Sequence, residues 1–441
     1  MINFKDFYNS KQEKRYTLNR IKNLLNYLYN PQDKIKNIIH VTGTNGKGST
    51  IAFLKSIFEN SGYSVNTFVS PHLIKINERI SLLSEDISDK YLNFLYLYIK
   101  KKIERHKIQA SFFEIIVAIA FLAFVEKKSD VVLLEVGIGG RLDATNVIKN
   151  TLCSIITPIS YDHIHILGND IKDIAHDKSQ IIKKNSYCII SKQKKIVQEI
   201  LKEKCRKEKS QYKIFNQDFF VQENLKKNNF TQIKNNTLNN KEFSFKYEDE
   251  NYNMLIENIG LKGEHQMINA SGAIATCSQL KHIFGFKAEN IISGIKKTSL
   301  KGRLENIFSD TNLKIYYDGA HNFSGIYSIS EWIKSSFQKK DLYVIMMINK
   351  KKDPQEFFKA ILNAREYIKQ IYLTSLKSEI NFFSEEELIP YITEKIFSFS
   401  KSLEEAIKTI KEKPKDKKYI LITGSLYIAD KLYQLKKNNF I

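Results

Sequence analysis

Gly43-Thr44-Asn45-Gly46-Lys47-Gly48-Ser49 is a glycine-rich turn suited to holding an anion. Glycines let backbone N–H groups come close to phosphate oxygens, and a helix starting near Ser49 aims its positive end at the same place. Lys47 can reach the β- and γ-phosphates of a nucleotide, and Ser49 can offer a hydroxyl to phosphate or Mg²⁺. The strict Walker pattern is absent. Val41 stands five positions before Gly46, and Gly48 stands where Ser or Thr would follow Lys47. For this segment alone, a generic tight turn is the alternative reading.

Glu135 closes the apolar run 131–136. A carboxylate at the end of a buried strand costs several kcal/mol unless it is paired or metal-bound. Ligands of open α/β sheets sit at the carboxyl ends of strands, so Glu135 is a candidate Mg²⁺ ligand, with a structural ion pair as the alternative. His163, in Asp162-His163, follows the run 152–159 and again occupies a strand's carboxyl end. A lone histidine there is more often structural. Ser111-Phe112-Phe113-Glu114 opens an apolar stretch, with Ser111 as an N-cap and Phe112 as a core aromatic.

The elements that must position these residues follow from periodicity. Residues 18–29 read as a helix, 38–42 as a short buried strand, and 49–60 as a helix closed by Gly62. Residues 112–125 are apolar nearly all round, which predicts a buried helix. The runs 131–136, 152–159 and 187–190 read as strands. Since 131–136 does not alternate, it belongs in a parallel sheet covered on both faces. Alternation of strands and helices predicts an α/β fold: an N-terminal P-loop-type domain with a doubly wound, mostly parallel sheet. From about 204 to 253 the texture turns Lys/Asn-rich, as in 226–229 and 234–240, which predicts hairpins or an irregular insertion. Helical pattern resumes over 266–280. After Lys301-Gly302, strands at 313–317, 342–348, 371–374 and 419–423 predict a smaller C-terminal, Rossmann-like α/β domain. The expected division is 1–299, which carries the phosphate turn and the insertion, and 300–441.

Taken together the motifs resemble the folylpolyglutamate synthase/dihydrofolate synthase family of the Mur ligase superfamily. The phosphate loop GTNGKGS is closest to that family. Ser70-Pro71-His72 followed by Asn77-Glu78-Arg79-Ile80 is similar to its S-P-H and N-E-R-I segments. The run 135–146 matches its E-V-G-x-G-G-R-x-D-A-T-N signature. Gly263-Glu264-His265-Gln266 with Asn269 is similar to G-x-H-Q-x-x-N. Gly302-Arg303-Leu304-Glu305 matches the interdomain segment with Lys301 in place of proline. Asp318-Gly319-Ala320-His321-Asn322 matches D-G-A-H-N with Phe323 in place of proline, and Thr423-Gly424-Ser425-Leu426-Tyr427 matches a further signature. The resemblance spans about residues 20–427 and thins in the Lys/Asn-rich insertion and in 364–411.

The resemblance implies an ATP-dependent ligase that adds L-glutamate to dihydropteroate and to folate or tetrahydrofolate glutamates through an acyl phosphate. It implies that Gly43 to Ser49 bind ATP together with His265, Gln266, Asn269, Arg303, Asp318 and His321, the last three reaching it from the second domain. It further implies that Ser70, Glu135 and His163 bind Mg²⁺, that Lys178 is carbamylated, and that Ser111, Phe113 and Asp143 receive the pterin. Lys47, His163 and Lys178 carry the chemistry, and a monovalent cation is a further cofactor of that reading. A ring sandwiched by Phe113 is physically reasonable, and a carboxylate such as Asp143 can accept two parallel hydrogen bonds from a pterin's amino-pyrimidinone edge. A monofunctional ligase is the alternative, and a cell-wall Mur ligase fits less well.

Composition fits such an enzyme. Of 441 residues, 42% are hydrophobic and 27% charged, which is globular and, at this length, predicts more than one domain. The longest apolar run, 115–125, is too short for a bilayer, which needs about 20 residues, and residues 1–15 carry no signal-peptide pattern. Cys153, Cys188, Cys205 and Cys277 are scattered, which predicts buried thiols in a reducing cytoplasm. The net charge of +21 raises a nucleic-acid-binding P-loop ATPase as the rival reading. The excess is diffuse Lys rather than an Arg-containing stripe, so neither nucleic acid nor membrane is expected as a partner. A monomer acting on small molecules is.

Overall fold

The computed structural model describes residues 17–223, 243–375, 381–414 and 417–441. The polar stretches 226–229 and 234–240 lie outside the described residues. The chain divides into two compact units. The first holds the described residues up to Gln222 with Phe245–Ile256 and Ile268–Thr298; the second holds Glu257–Met267 and Ser299–Ile441.

The first unit is built on eight strands: β1 (Ile38–Thr42), β2 (Val65–Phe68), β3 (Ile80–Leu82), β4 (Glu85–Asp86), β5 (Val131–Glu135), β6 (Cys153–Ile156), β7 (Tyr187–Ile190) and β8 (Gln211–Ile214). Their order is β4-β3-β2-β5-β1-β6-β7-β8. β2, β5, β1, β6, β7 and β8 run parallel, and β3 and β4 add an antiparallel edge. β1 and β5 are buried at every position, which is why their sequences run apolar instead of alternating.

The helix Lys47–Asn60 begins two residues earlier than its pattern suggests, because Gly46 caps it. The helix Phe112–Glu126 is apolar all round and lies in the core with Ile115, Ile119 and Phe121. Its start is fixed by a reciprocal capping box between Ser111 and Glu114.

The insertion differs from its expected extent. Lys195–Lys207 is an amphipathic helix burying Val197, Ile200, Leu201 and Cys205, and β8 extends the main sheet beside β7. Polar and charged residues between the buried positions hid the helix, and a strand of pattern Gln-Tyr-Lys-Ile at a sheet edge buries little. The described remainder is a small sheet of β9 (Phe219–Glu223), β10 (Phe245–Asp249) and β11 (Asn253–Ile256). Tyr247 and Phe219 stack inside it.

The second unit carries β12 (Glu305–Ser309), β13 (Leu313–Tyr317), β14 (Leu342–Met346), β15 (Ile368–Leu373), β16 (Phe397–Phe399) and β17 (Lys418–Thr423) in the order β12-β13-β17-β14-β15-β16. All pairings are parallel except β12 with β13. Among the described residues no helix is long and apolar enough to cross a membrane, and all four cysteines are buried and free.

Candidate active site

Strand order decides which loops meet. β2, β5, β1 and β6 are consecutive and parallel, so the segments leaving their carboxyl ends share one edge. Those segments begin with Ser70, Glu135, the 43–49 turn and Asp162-His163. Val41 is in register with Glu135, and Thr42 with Ile156. Four stretches far apart in the chain thus reach one place, where ligands of open sheets bind.

The 43–49 turn is pinned to the segment after β6. Thr44 N–H donates to the Pro158 carbonyl (3.0 Å), the Thr44 hydroxyl donates to the Ser160 carbonyl (2.9 Å), and Ser160 N–H returns a bond to that hydroxyl. Gly46 has φ +90°, where a side chain is strained, and a Cβ there would lie 2.2 Å from Asn269 Oδ1, so a larger residue would strain the turn and displace the Asn269 side chain that packs against it. Lys47 Nζ donates to the carbonyls of Gly43 and Thr44, both at 3.2 Å, folding its ammonium over the mouth of the turn. Ser49 is buried in the first helical turn.

Ser70 N–H donates to Glu135 Oε2 at 3.0 Å. The Ser70–Pro71 bond is cis. The loop that follows is braced by two residues of the 77–80 motif. The Glu78 carboxylate accepts from the backbone N–H groups of Leu73, Ile74 and Lys75. Arg79, nearly buried, donates through Nε to His72 Nδ1 (2.8 Å) and sits 5.4 Å over the Phe112 ring. Burial and the Arg79 guanidinium push His72 down to about 4, so it stays neutral and accepts. These contacts tie the loop bearing Ser70 to the helix bearing Phe113. Phe112 is therefore half-buried beneath a cation instead of being a core residue. We expect Glu78→Ala to fold yet to need about tenfold more Mg²⁺ for half-maximal ATP turnover, since outlying partners of ligand residues carry effects of that size. An unchanged Mg²⁺ titration would refute a role in holding Ser70.

Among the described residues no three His, Cys, Asp or Glu side chains gather as a metal cluster. Mg²⁺ bound with a nucleotide needs only one or two protein oxygens plus phosphates and water. The adjacent Glu135 carboxylate and Ser70 hydroxyl fit that donor set. His163 sits at φ +51° before the short helix Ile164–Leu167, with its N–H bonded to Asp162 Oδ1 (2.8 Å) and its ring 6.3 Å from that of His165.

Lys178 is buried on the helix Ile171–Ser179 and donates to the same Gly43 carbonyl as Lys47, at 2.9 Å. Burial, then the Lys47 charge, lowers it from 10.5 to about 7, against the opposing pull of Asp177, Asp162 and Asp143. Asp177 accepts from the Gly140 N–H (2.9 Å) and pairs with Arg141. Arg141, Leu167, His176 and Asp177 line a recess of about 410 Å³ next to this turn.

Phe113 crosses the turn after β5. A Cβ on Gly137 would lie 2.6 Å from the Phe113 ring and 3.1 Å from Asp143 Oδ2, so only glycine lets the aromatic close on the carboxylate. Asp143 Oδ2 accepts from Gly137 and Ile138 N–H (2.9 and 3.1 Å), and Oδ1 accepts from Thr145 N–H and its hydroxyl (3.0 and 2.5 Å). Burial pushes its carboxyl up while these donors oppose the shift. All four lone pairs are engaged inside the turn, so a direct pterin contact requires one of these bonds to open.

The second unit assembles its own cluster. Asp318, at the end of β13, accepts from Leu304 N–H (2.9 Å) and Ala320 N–H (2.8 Å). Burial raises its carboxyl and the nearby Arg303 charge opposes the shift. His321 Nδ1 bonds the Gly319 carbonyl (2.9 Å), and Arg303 donates to the Gly302 carbonyl (3.1 Å). His265 is held neutral, down to about 4, by burial and Arg303, and its Nε2 meets Gln266 Nε2 at 3.1 Å. The 263–269 motif is thus split: His265 and Gln266 group with Arg303 and Asp318, while Asn269 groups with the phosphate turn.

Residues 41–277 match the Mur ligase middle domain, and residues 303–435 match the dihydrofolate synthetase C-terminal domain. The dihydrofolate synthase/folylpolyglutamate synthase of Bacillus subtilis (strain 168) is 33% identical over 95% of each chain. The chain belongs to the dihydrofolate synthase/folylpolyglutamate synthase family of Mur ligases. Among solved structures, the folylpolyglutamate synthase of Mycobacterium tuberculosis complexed with ADP and AMPPCP is 26% identical with TM-score 0.81, covering 96% of both chains. The apo form of the Lacticaseibacillus casei folylpolyglutamate synthase is 28% identical with TM-score 0.80, covering 98% of this chain and 99% of that one.

As a Mur ligase the chain is an ATP-dependent enzyme, and several residues beyond those singled out in its sequence support its candidate site. Glu78, Arg79 and His72 lie within quoted motifs but carried no assigned role. Their signal was the motif itself, which marks a self-bonded loop. Asp177 precedes Lys178 directly and gave no pattern of its own.

Proposed function

We propose that this chain joins L-glutamate through ATP to dihydropteroate and to reduced folate glutamates. The observation that carries this is the meeting of Lys47, Lys178, Glu135 and Ser70 on one sheet edge, with the Phe113–Asp143 wall beside them.

The substrate carboxylate attacks the γ-phosphorus in line. The bond to the bridging oxygen of ADP breaks, leaving an acyl phosphate. The glutamate α-amine then attacks the acyl carbon, sheds a proton to solvent, and inorganic phosphate departs. In this reading the N–H groups of residues 45–48 and the Lys47 ammonium hold the γ-phosphate and the charge that spreads over its oxygens. Asn269 keeps the turn in shape. Ser70 and Glu135 would hold Mg²⁺ together with His163; bound Mg²⁺ neutralises phosphate charge. His265, Gln266, Arg303, Asp318 and His321 form a second nucleotide-binding set. Phe113 covers one face of the pterin, and Ser111 and Asp143 border it. Neutral Lys178 can attack CO₂ through its amine nitrogen, lose a proton to solvent, and become a carbamate, placing an anion beside Lys47.

ATP turnover should rise when dihydropteroate plus glutamate is added, and again with tetrahydrofolate plus glutamate. Stimulation by only one acceptor identifies a monofunctional ligase. Turnover indifferent to both would reject the assignment.

A further inference from the structure

His40 lies in the middle of β1, fully buried, on the far side of the turn that Asp143 organises. Its Nε2 is 2.8 Å from Thr145 Oγ1. Thr145 has one hydroxyl proton, and that proton goes to Asp143 Oδ1 at 2.5 Å. The hydroxyl must then accept from His40, which fixes the Nε2–H tautomer. The hydrogen-bond network runs from His40 through the Thr145 hydroxyl to Asp143 Oδ1, while Asp143 Oδ2 accepts from the N–H groups of Gly137 and Ile138 beneath the Phe113 ring.

Among the described residues the other ring nitrogen, Nδ1, has no hydrogen-bond partner. A buried acceptor left unpaired is unfavourable, and an apolar side chain of similar size would avoid it. The imidazole therefore serves this position through Nε2–H and not through packing. Burial and the nearby Lys183 charge hold the ring neutral, down to about 3, so it does not switch state in the ordinary range.

We infer that His40 is a positioning residue for pterin recognition, holding Thr145 so that Asp143 presents the 137–138 turn to the ring beneath Phe113. The inference rests on the reading above, in which that turn borders the pterin.

The test compares His40→Leu, which removes the donor, with His40→Gln, which restores an amide N–H near the Nε2 position, and with Thr145→Val. His40→Leu should raise KM for dihydropteroate about tenfold, the scale seen when a supporting partner is lost, with KM for ATP and kcat within about twofold. His40→Gln should recover most of the loss. The double variant His40→Leu/Thr145→Val should be no worse than Thr145→Val alone, because members of one network are not additive. Equal shifts in the KM for ATP and dihydropteroate, or additive losses in the double variant, would overturn the inference. Should His40→Leu not fold, Thr145→Val carries the same KM comparison. Hydrogen exchange at the Gly137 and Ile138 amides supplies a readout independent of turnover: both variants should speed it, and unchanged protection sinks the inference. Wild-type protein without pterin-dependent turnover would reject the functional reading, while the exchange result would still judge the brace.

Discussion

Lys47→Ala should lower kcat/KM for ATP-dependent glutamate ligation by about 10²–10³ or more while the protein unfolds at its normal temperature. Groups aimed at charge that develops in a transition state carry effects of that size. Among the described residues the ammonium bonds carbonyls of its own turn, Gly43 and Thr44, at 3.2 Å each. Its removal leaves Gly46 and Asn269 to keep the turn's shape, so a catalytic loss without a stability loss is expected. Steady-state assay alongside thermal unfolding checks this. Full turnover in a folded variant would remove Lys47 from the chemistry.

The second large effect concerns Lys178. With its amine lowered to about 7, roughly nine-tenths of it is neutral at pH 8 and open to reaction with CO₂. Lys178→Ala should cut kcat by about 10², and stripping CO₂ and bicarbonate should slow wild-type protein while leaving the variant unaffected. Equal rates with and without bicarbonate would count against a carbamate. The same shift bears on stability. The native group binds fewer protons than the unfolded one between about pH 7 and 10.5, so its contribution to stability grows as pH rises through that window. Denaturant midpoints for Lys178→Met should lack that part of the slope.

Much of this architecture could be read from residue types. β1, β7 and β13 begin and end where their sequence runs do, because these short, mostly buried strands are rich in apolar and aromatic residues. The phosphate turn and Glu135 were legible for a related reason: glycines and an acid at the end of an apolar run are costly unless something uses them. The helix Lys195–Lys207 and β8 were not legible, since the four residues the helix buries are interleaved with charged and polar ones and β8 buries only Ile214. Nor was the split of the 263–269 motif. His265 joins Arg303 through a long-range electrostatic contact that local spacing does not encode. The bracing of Ser70 by Glu78 and Arg79 was written in the motif but needed coordinates to show that both residues bond the same loop.

The turn after β5 is held from both sides before any substrate arrives, by Asp143 at Gly137 and Ile138 and by Asp177 at Gly140. The entropy lost in ordering those residues is therefore charged to folding and not to ligand capture. On the proposed reading, a pterin would meet a turn ordered in advance, so its affinity should be less sensitive to loop flexibility than that of a site closing by induced fit.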